Sequence, residues 1–127
     1  MDINCREDIK LFVNCFYEKV KKDELIGFIF NDVMKMDWEQ HLPVMYNFWD
    51  TILLDAGNYT RNTMAIHFEV NRKIKLEDKH FNRWLELFTS TIDELFNGAI
   101  ADMAKKRAGS IAVIMQLKMN QENTAPG

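Results

Sequence analysis

Residues 58–84 read NYTRNTMAIHFEVNRKIKLEDKHFNRW, and they set His67 in a short apolar segment between two long helical patterns. Ile66 and Phe68 flank it, with Ala65 and Val70 close by. Taken alone, a histidine in such company is more often a satisfied core residue than a metal ligand. The rest of the chain changes the weighing, because it supplies a second histidine, a tyrosine and a tryptophan whose spacing could bring them to the same cavity.

On either side of this segment, apolar residues recur at helical spacing. Upstream, Trp38, His41, Leu42, Met45, Phe48, Trp49, Ile52 and Leu53 mark one amphipathic helix, with Asp37 as a cap. Pro43 lacks an amide donor and biases Leu42 away from helical angles, so regular helix is expected from Pro43, with His41 at its entrance. Gly57 is expected to end that helix and Asn58 to Met64 to form a polar linker. A short helix around His67 then stops before Asp78. Downstream, Phe81, Trp84, Leu85, Phe88, Ile92, Leu95 and Phe96 form a second apolar face, started by Glu77 and Asp78 and ended by Asn97-Gly98.

The outer segments complete an all-α domain. Ile9, Phe12, Val13, Phe16 and Val20 predict a helix from Asn4 to Val20, capped by Asp2 or Asn4, with Tyr17 at the edge of its apolar face. Residues 23–32, DELIGFIFND, read as a turn and short helical turns that carry Leu25, Phe28, Ile29 and Phe30 inward. A last helix spans Ala99 to Met119 with Ile100, Met103, Ala104, Ala108, Ile111, Ile114 and Met115 inward, and Gly109 allowing close approach. The single domain is therefore expected over residues 1–119, and the polar segment 120–127 as a frayed tail.

Composition narrows the function. A net charge of -3 and a pI near 5.6 argue against a nucleic-acid surface. Lys19-Val20-Lys21-Lys22 and Lys105-Lys106-Arg107 read as solvated helix faces. Cys5 and Cys15 fall ten residues apart on one predicted helix, roughly 15 Å along its axis, too far to pair. Free thiols, no leader-like segment and no long apolar run give the expectation of a soluble cytoplasmic protein that enters no membrane.

Several chemistries lack their residues. A di-iron bundle needs Glu-x-x-His twice, and the chain has it once, from Glu77 to His80. The two cysteines do not make a zinc site, and no phosphate loop, nucleophile elbow or His-Glu-x-x-His run is present. Haem needs less: one neutral imidazole below the iron, an open position for a diatomic gas, and apolar walls. Nine Phe, three Trp and eight Met could provide those walls, and Tyr17, His41 and Trp84 are the hydrogen-bond donors that the helical patterns place near the cavity.

These residues also form an ordered set. Phe16-Tyr17-Glu18-Lys19-Val20, Ile29-Phe30, Trp38-x-x-His41-Leu42-Pro43-x-Met45-x-x-Phe48-Trp49, Tyr59, His67 and Phe81-x-x-Trp84-Leu85-x-Leu87-Phe88 follow one another along the chain. From about Ile9 to Met119 the chain resembles the group III truncated haemoglobins, a bacterial branch of the globins. The resemblance implies a two-over-two globin fold around haem b, with His67 as the proximal iron ligand. It also implies a distal side made by Tyr17, His41, Met45 and Trp84, within a pocket including Phe16, Phe30, Leu42, Phe48, Trp49, Ile66 and Phe81. Many relatives carry Gly and Pro between the tyrosine and the proximal histidine, whereas this chain reads Tyr59-Thr60-Arg61-Asn62-Thr63-Met64-Ala65-Ile66-His67.

Three functional readings follow. The first is a haem protein that binds dioxygen, carbon monoxide, nitric oxide or peroxide at a polar distal site. Slow release there would suit detoxification or sensing better than transport, with an unidentified reductase as electron donor. The second is a globin-shaped module without haem, acting in interaction or sensing. The third keeps haem but uses His41 as a sixth ligand.

Overall fold

The computed structural model describes residues 1–33, 37–54 and 76–124, and the described secondary structure is helical throughout. Its elements are α1 (Arg6–Lys22), a π-helical turn (Ile29–Val33), α2 (Trp38–Leu54), α3 (Asp78–Leu95) and α4 (Ala99–Thr124). Helix α1 packs on α2 and on α3, α3 packs along α4, and α2 touches α4. The pair α1–α2 thus lies over the pair α3–α4, the expected two-over-two arrangement. Residues 58–75 lie outside the described residues, and with them Tyr59, Ile66, His67 and the short helix expected there. Gly57, expected to cap α2, also lies outside them.

An aromatic stack holds the two layers together. Phe12 of α1 is fully buried and meets Trp49 of α2 and Phe88 of α3 edge-on, at 5.8 and 5.7 Å between centroids. Trp49 lies nearly parallel to Phe88 at 4.9 Å. Three helices therefore share one cluster whose geometry is the favourable edge-to-face and offset kind. Beside it, Arg6 donates to the buried carboxylate of Asp50 and to Asn47 Oδ1, the latter at 2.9 Å, which fixes the start of α1 to the middle of α2.

The helix ends depart from the sequence expectation in instructive ways. Asp2, expected at the start of α1, serves α4 instead: its carboxylate accepts the amides of Ile100 and Ala101 at 2.9 and 2.8 Å. Those hydrogen bonds, the Ile100 amide foremost, hold its carboxyl below the usual carboxylate range. Gly98 makes the approach possible, because its φ is +135° and a Cβ there would stand 2.6 Å from the Asp2 carboxyl group. Helix α1 begins at Arg6, and Asp8 reaches back to the Asn4 amide at 2.9 Å.

Helix α2 starts at Trp38 rather than Pro43. The Asp37 carbonyl accepts the amides of Gln40 and His41, which begins the helix, and the acceptor that Pro43 leaves without an amide is the carbonyl of exposed Glu39, which water can serve. Tertiary packing of Trp38, Met45 and Trp49 outweighs that one missing bond. Helix α4 runs to Thr124, past the expected end at Met119.

Two expected core assignments also change. In the 23–33 segment Ile26 and Ile29 are buried and Phe28 is 38% exposed, because the Asp23 carboxylate takes the Leu25 and Ile26 amides and turns the chain so that Ile26 faces in. In α4 the buried ridge is Ala101, Ala104, Ala108, Ala112 and Met115, whereas Met103 and Ile114 face outward. Small side chains win that face because they let α4 lie close to α3. Gly109, expected at the close approach, has nothing within 4 Å of where a Cβ would stand.

Helix α3 begins as expected, with a cap that occupies the one Glu-x-x-His pattern. The Glu77 amide donates to His80 Nδ1 at 2.9 Å and the Glu77 carbonyl accepts the His80 amide at 3.0 Å. His80 is 7% exposed, and burial followed by the Lys79 charge lowers its pKa from 6.5. The unfolded chain then binds more protons than the folded one below about pH 6.5, so this group's contribution is present at neutral pH and falls as the medium is acidified. Urea midpoints at pH 7.5 and 5.5 should differ less in His80→Gln, which keeps a capping side chain without the titration, than in the native chain. An equal difference in the two would remove His80 from the account.

Candidate functional site

Tyr17 and His41, both singled out in the sequence, meet in the structure. Tyr17 stands on the inner face of α1, 7% exposed, and its ring lies 5.3 Å from the His41 imidazole at an interplanar angle of 82°. His41 sits in the first turns of α2, and its Nε2 is sealed from solvent. Phe16 at 4.8 Å and Phe30 at 6.2 Å complete the apolar side of Tyr17. Burial alone pushes the Tyr17 phenol well above its ordinary value of 10. It is therefore a neutral O–H donor at any physiological pH.

The remaining candidates line the same layer without all meeting one another. Met45, one turn beyond His41, is buried, as are Trp49 and Phe81, while Leu42 and Phe48 are half-buried. Trp84 of α3 is half-buried, meeting Phe16 edge-on at 5.6 Å and stacking on Phe88 at 5.8 Å. Phe16 links it to Tyr17. Ile66 and His67 lie outside the described residues.

Trp38 was not among the site residues expected from the sequence. Its ring is 5.3 Å from Tyr17, 5.7 Å from His41 and 6.2 Å from Phe30, so it is part of the same cluster. The signal was present as Trp-x-x-His, a spacing that puts both side chains on one helical face. Placing the helix start at Pro43 hid it.

The group therefore combines apolar walls from two helices and a π-helical turn with a buried tyrosine and a half-buried histidine whose Nε2 is shielded from solvent. Such a donor set fits a flat apolar group that carries a small polar ligand on one side. Among solved structures, the chain is similar to the crystal structure of a group III truncated haemoglobin from Campylobacter jejuni, with a TM-score of 0.81 and 29% identity over 94% of each chain. Among curated proteins, it is 30% identical over 110 residues to a group 3 truncated haemoglobin of Campylobacter jejuni, covering 84% of both. The chain belongs to the group III truncated haemoglobins. No protein-family model matches it.

Membership makes this truncated haemoglobin a globin that binds haem and small diatomic gases. The Tyr17–His41 pair sits where α1 and α2 converge, on the layer opposite α3 and α4. None of its described helices is long and apolar enough to cross a membrane.

Proposed function

We propose that the chain is a cytoplasmic haem b protein that binds dioxygen or a related diatomic ligand on the side of the haem facing Tyr17 and His41, with His67 as the axial iron ligand. The observation that carries this reading is the near-perpendicular Tyr17–His41 pair inside an aromatic wall, with Tyr17 and His41 Nε2 both shielded from solvent. Bound haem supplies an iron with one open position for a diatomic gas.

The chain's own residues do the rest. Tyr17, kept protonated by burial, donates its O–H to negative charge that gathers on the ligand. His41 offers a ring N–H from α2, and Trp84 an indole N–H from α3. Phe16, Phe30, Met45, Phe48, Trp49 and Phe81 exclude water, which strengthens each of those bonds. Each charge-assisted hydrogen bond is worth roughly 1.5–3 kcal/mol, so two or three of them slow ligand release by orders of magnitude. Slow release suits nitric oxide or peroxide detoxification, or sensing, with electrons from a separate reductase.

Titration of the purified chain with haem, followed by reduction and carbon monoxide, tests the reading. The expected result is a Soret band that saturates at one haem per chain and shifts sharply with carbon monoxide. A chain that gives no saturable band would remove the proposal.

A further inference from the structure

We propose that Trp38 is a positioning residue for the ligand side of this site: held by Lys21, its indole fixes the orientation of the His41 imidazole beside Tyr17. This rests on the haem reading above and adds to it a residue that acts through another.

Four contacts define the indole's place. Trp38 and His41 are one turn apart on α2, and their rings meet edge-on at 5.7 Å and 76°. Tyr17 meets the same imidazole at 5.3 Å and 82°. Tyr17 and Trp38 both stand nearly perpendicular to the imidazole. Turning it about its outer torsion would lose both edge-to-face contacts together. The indole is itself held, tilted against Tyr17 at 5.3 Å and stacked with Phe30 at 6.2 Å and 28°. Finally, Lys21 Nζ stands 4.7 Å from the Trp38 ring centroid, within cation–π range, and pairs with Glu18 at 3.0 Å.

The location suits that role better than simple space-filling. Trp38 is half-buried, outside the Phe12–Trp49–Phe88 stack that joins the layers, and it is the first residue of α2. Helix α2 begins ahead of Pro43, and only because it does are Trp38 and His41 on one face. An imidazole kept in one orientation presents the same nitrogen to every ligand, which is the preorganisation a polar site needs. Freed, it would sample outward rotamers and open a path from solvent.

The test uses the haem-loaded full chain and two readouts in the ferrous carbon monoxide form: the C–O stretching bands, which report what faces the ligand, and the association rate. Trp38→Leu should spread a dominant band over several and speed association by up to roughly tenfold, the loss of one of the imidazole's two edge-to-face contacts. Trp38→Phe should restore the dominant band. In a His41→Leu background, Trp38→Leu should add nothing further, because the residue through which it acts is gone. Should Trp38→Leu fail to take up haem, Lys21→Met decides, with the same band spreading and an association about threefold faster expected from loss of one cation–π contact. Native bands and rate in Trp38→Leu at full haem content, or in Lys21→Met where that variant decides, would overturn the role of Trp38 alone. A native chain without haem would sink the site reading and this inference together.

Discussion

His67→Ala should lower haem affinity by at least ~100-fold, since loss of a ligand exceeds the 10- to 100-fold cost typical of losing a partner one shell further out. The resemblance assigns the axial position to His67, and the two other histidines have described surroundings of their own. His80 accepts the Glu77 amide through Nδ1 at the start of α3, and His41 is packed between Tyr17 and Trp38. Without the imidazole, hydrophobic contact with the aromatic wall would still hold some haem, but in a shifted and heterogeneous spectrum. Millimolar imidazole added to the variant should bring back the native ferrous carbon monoxide spectrum, because a free ligand can fill the space left by the side chain. Unchanged haem affinity and an unchanged spectrum would place the ligand elsewhere.

Phe12→Ala should cost about 3–5 kcal/mol of folding stability, the range for deleting a fully buried aromatic side chain. The site collapses poorly because Trp49 and Phe88 are large, already stacked on each other and supplied by different helices. Against a total stability of roughly 5–15 kcal/mol, such a loss leaves a marginal fold at best. Phe12→Leu, which keeps most of the volume, should cost about 1–1.5 kcal/mol. Urea unfolding of haem-free protein measures both. A loss below ~1 kcal/mol in the alanine variant, the level expected of a surface position, would mean that this stack does not tie the layers together.

Helical periodicity made α1, α3 and most of α2 readable, because Ile9, Phe12, Val13, Phe16 and Val20, or Phe81, Phe88 and Ile92, recur on one face and are buried there. Periodicity could not rank two apolar faces of α4. Met103 and Ile114 are larger than Ala104 and Ala108, yet the alanines are inside, because helix packing distance selected small side chains. Long-range caps were equally out of reach: nothing local tells that Asp2 would serve amides 98 and 99 residues later. Local preference misled at Pro43, where tertiary burial overrode it and brought Trp38 into the site. Tyr17 and His41 were legible as an ordered set, and the structure adds that their rings meet.

The dioxygen dissociation rate of the haem-loaded chain, measured beside Tyr17→Phe, decides whether the Tyr17 hydroxyl holds the ligand. Phenylalanine keeps the ring contacts with Phe16, Phe30, Trp38 and His41 and removes only the hydroxyl. If that buried O–H donates to the ligand, losing a bond worth roughly 1.5–3 kcal/mol should speed dissociation by about 10- to 100-fold. A rate within about twofold of native, at equal haem content, would contradict the claim, since ordinary hydrogen-bond energies leave no room for so small an effect.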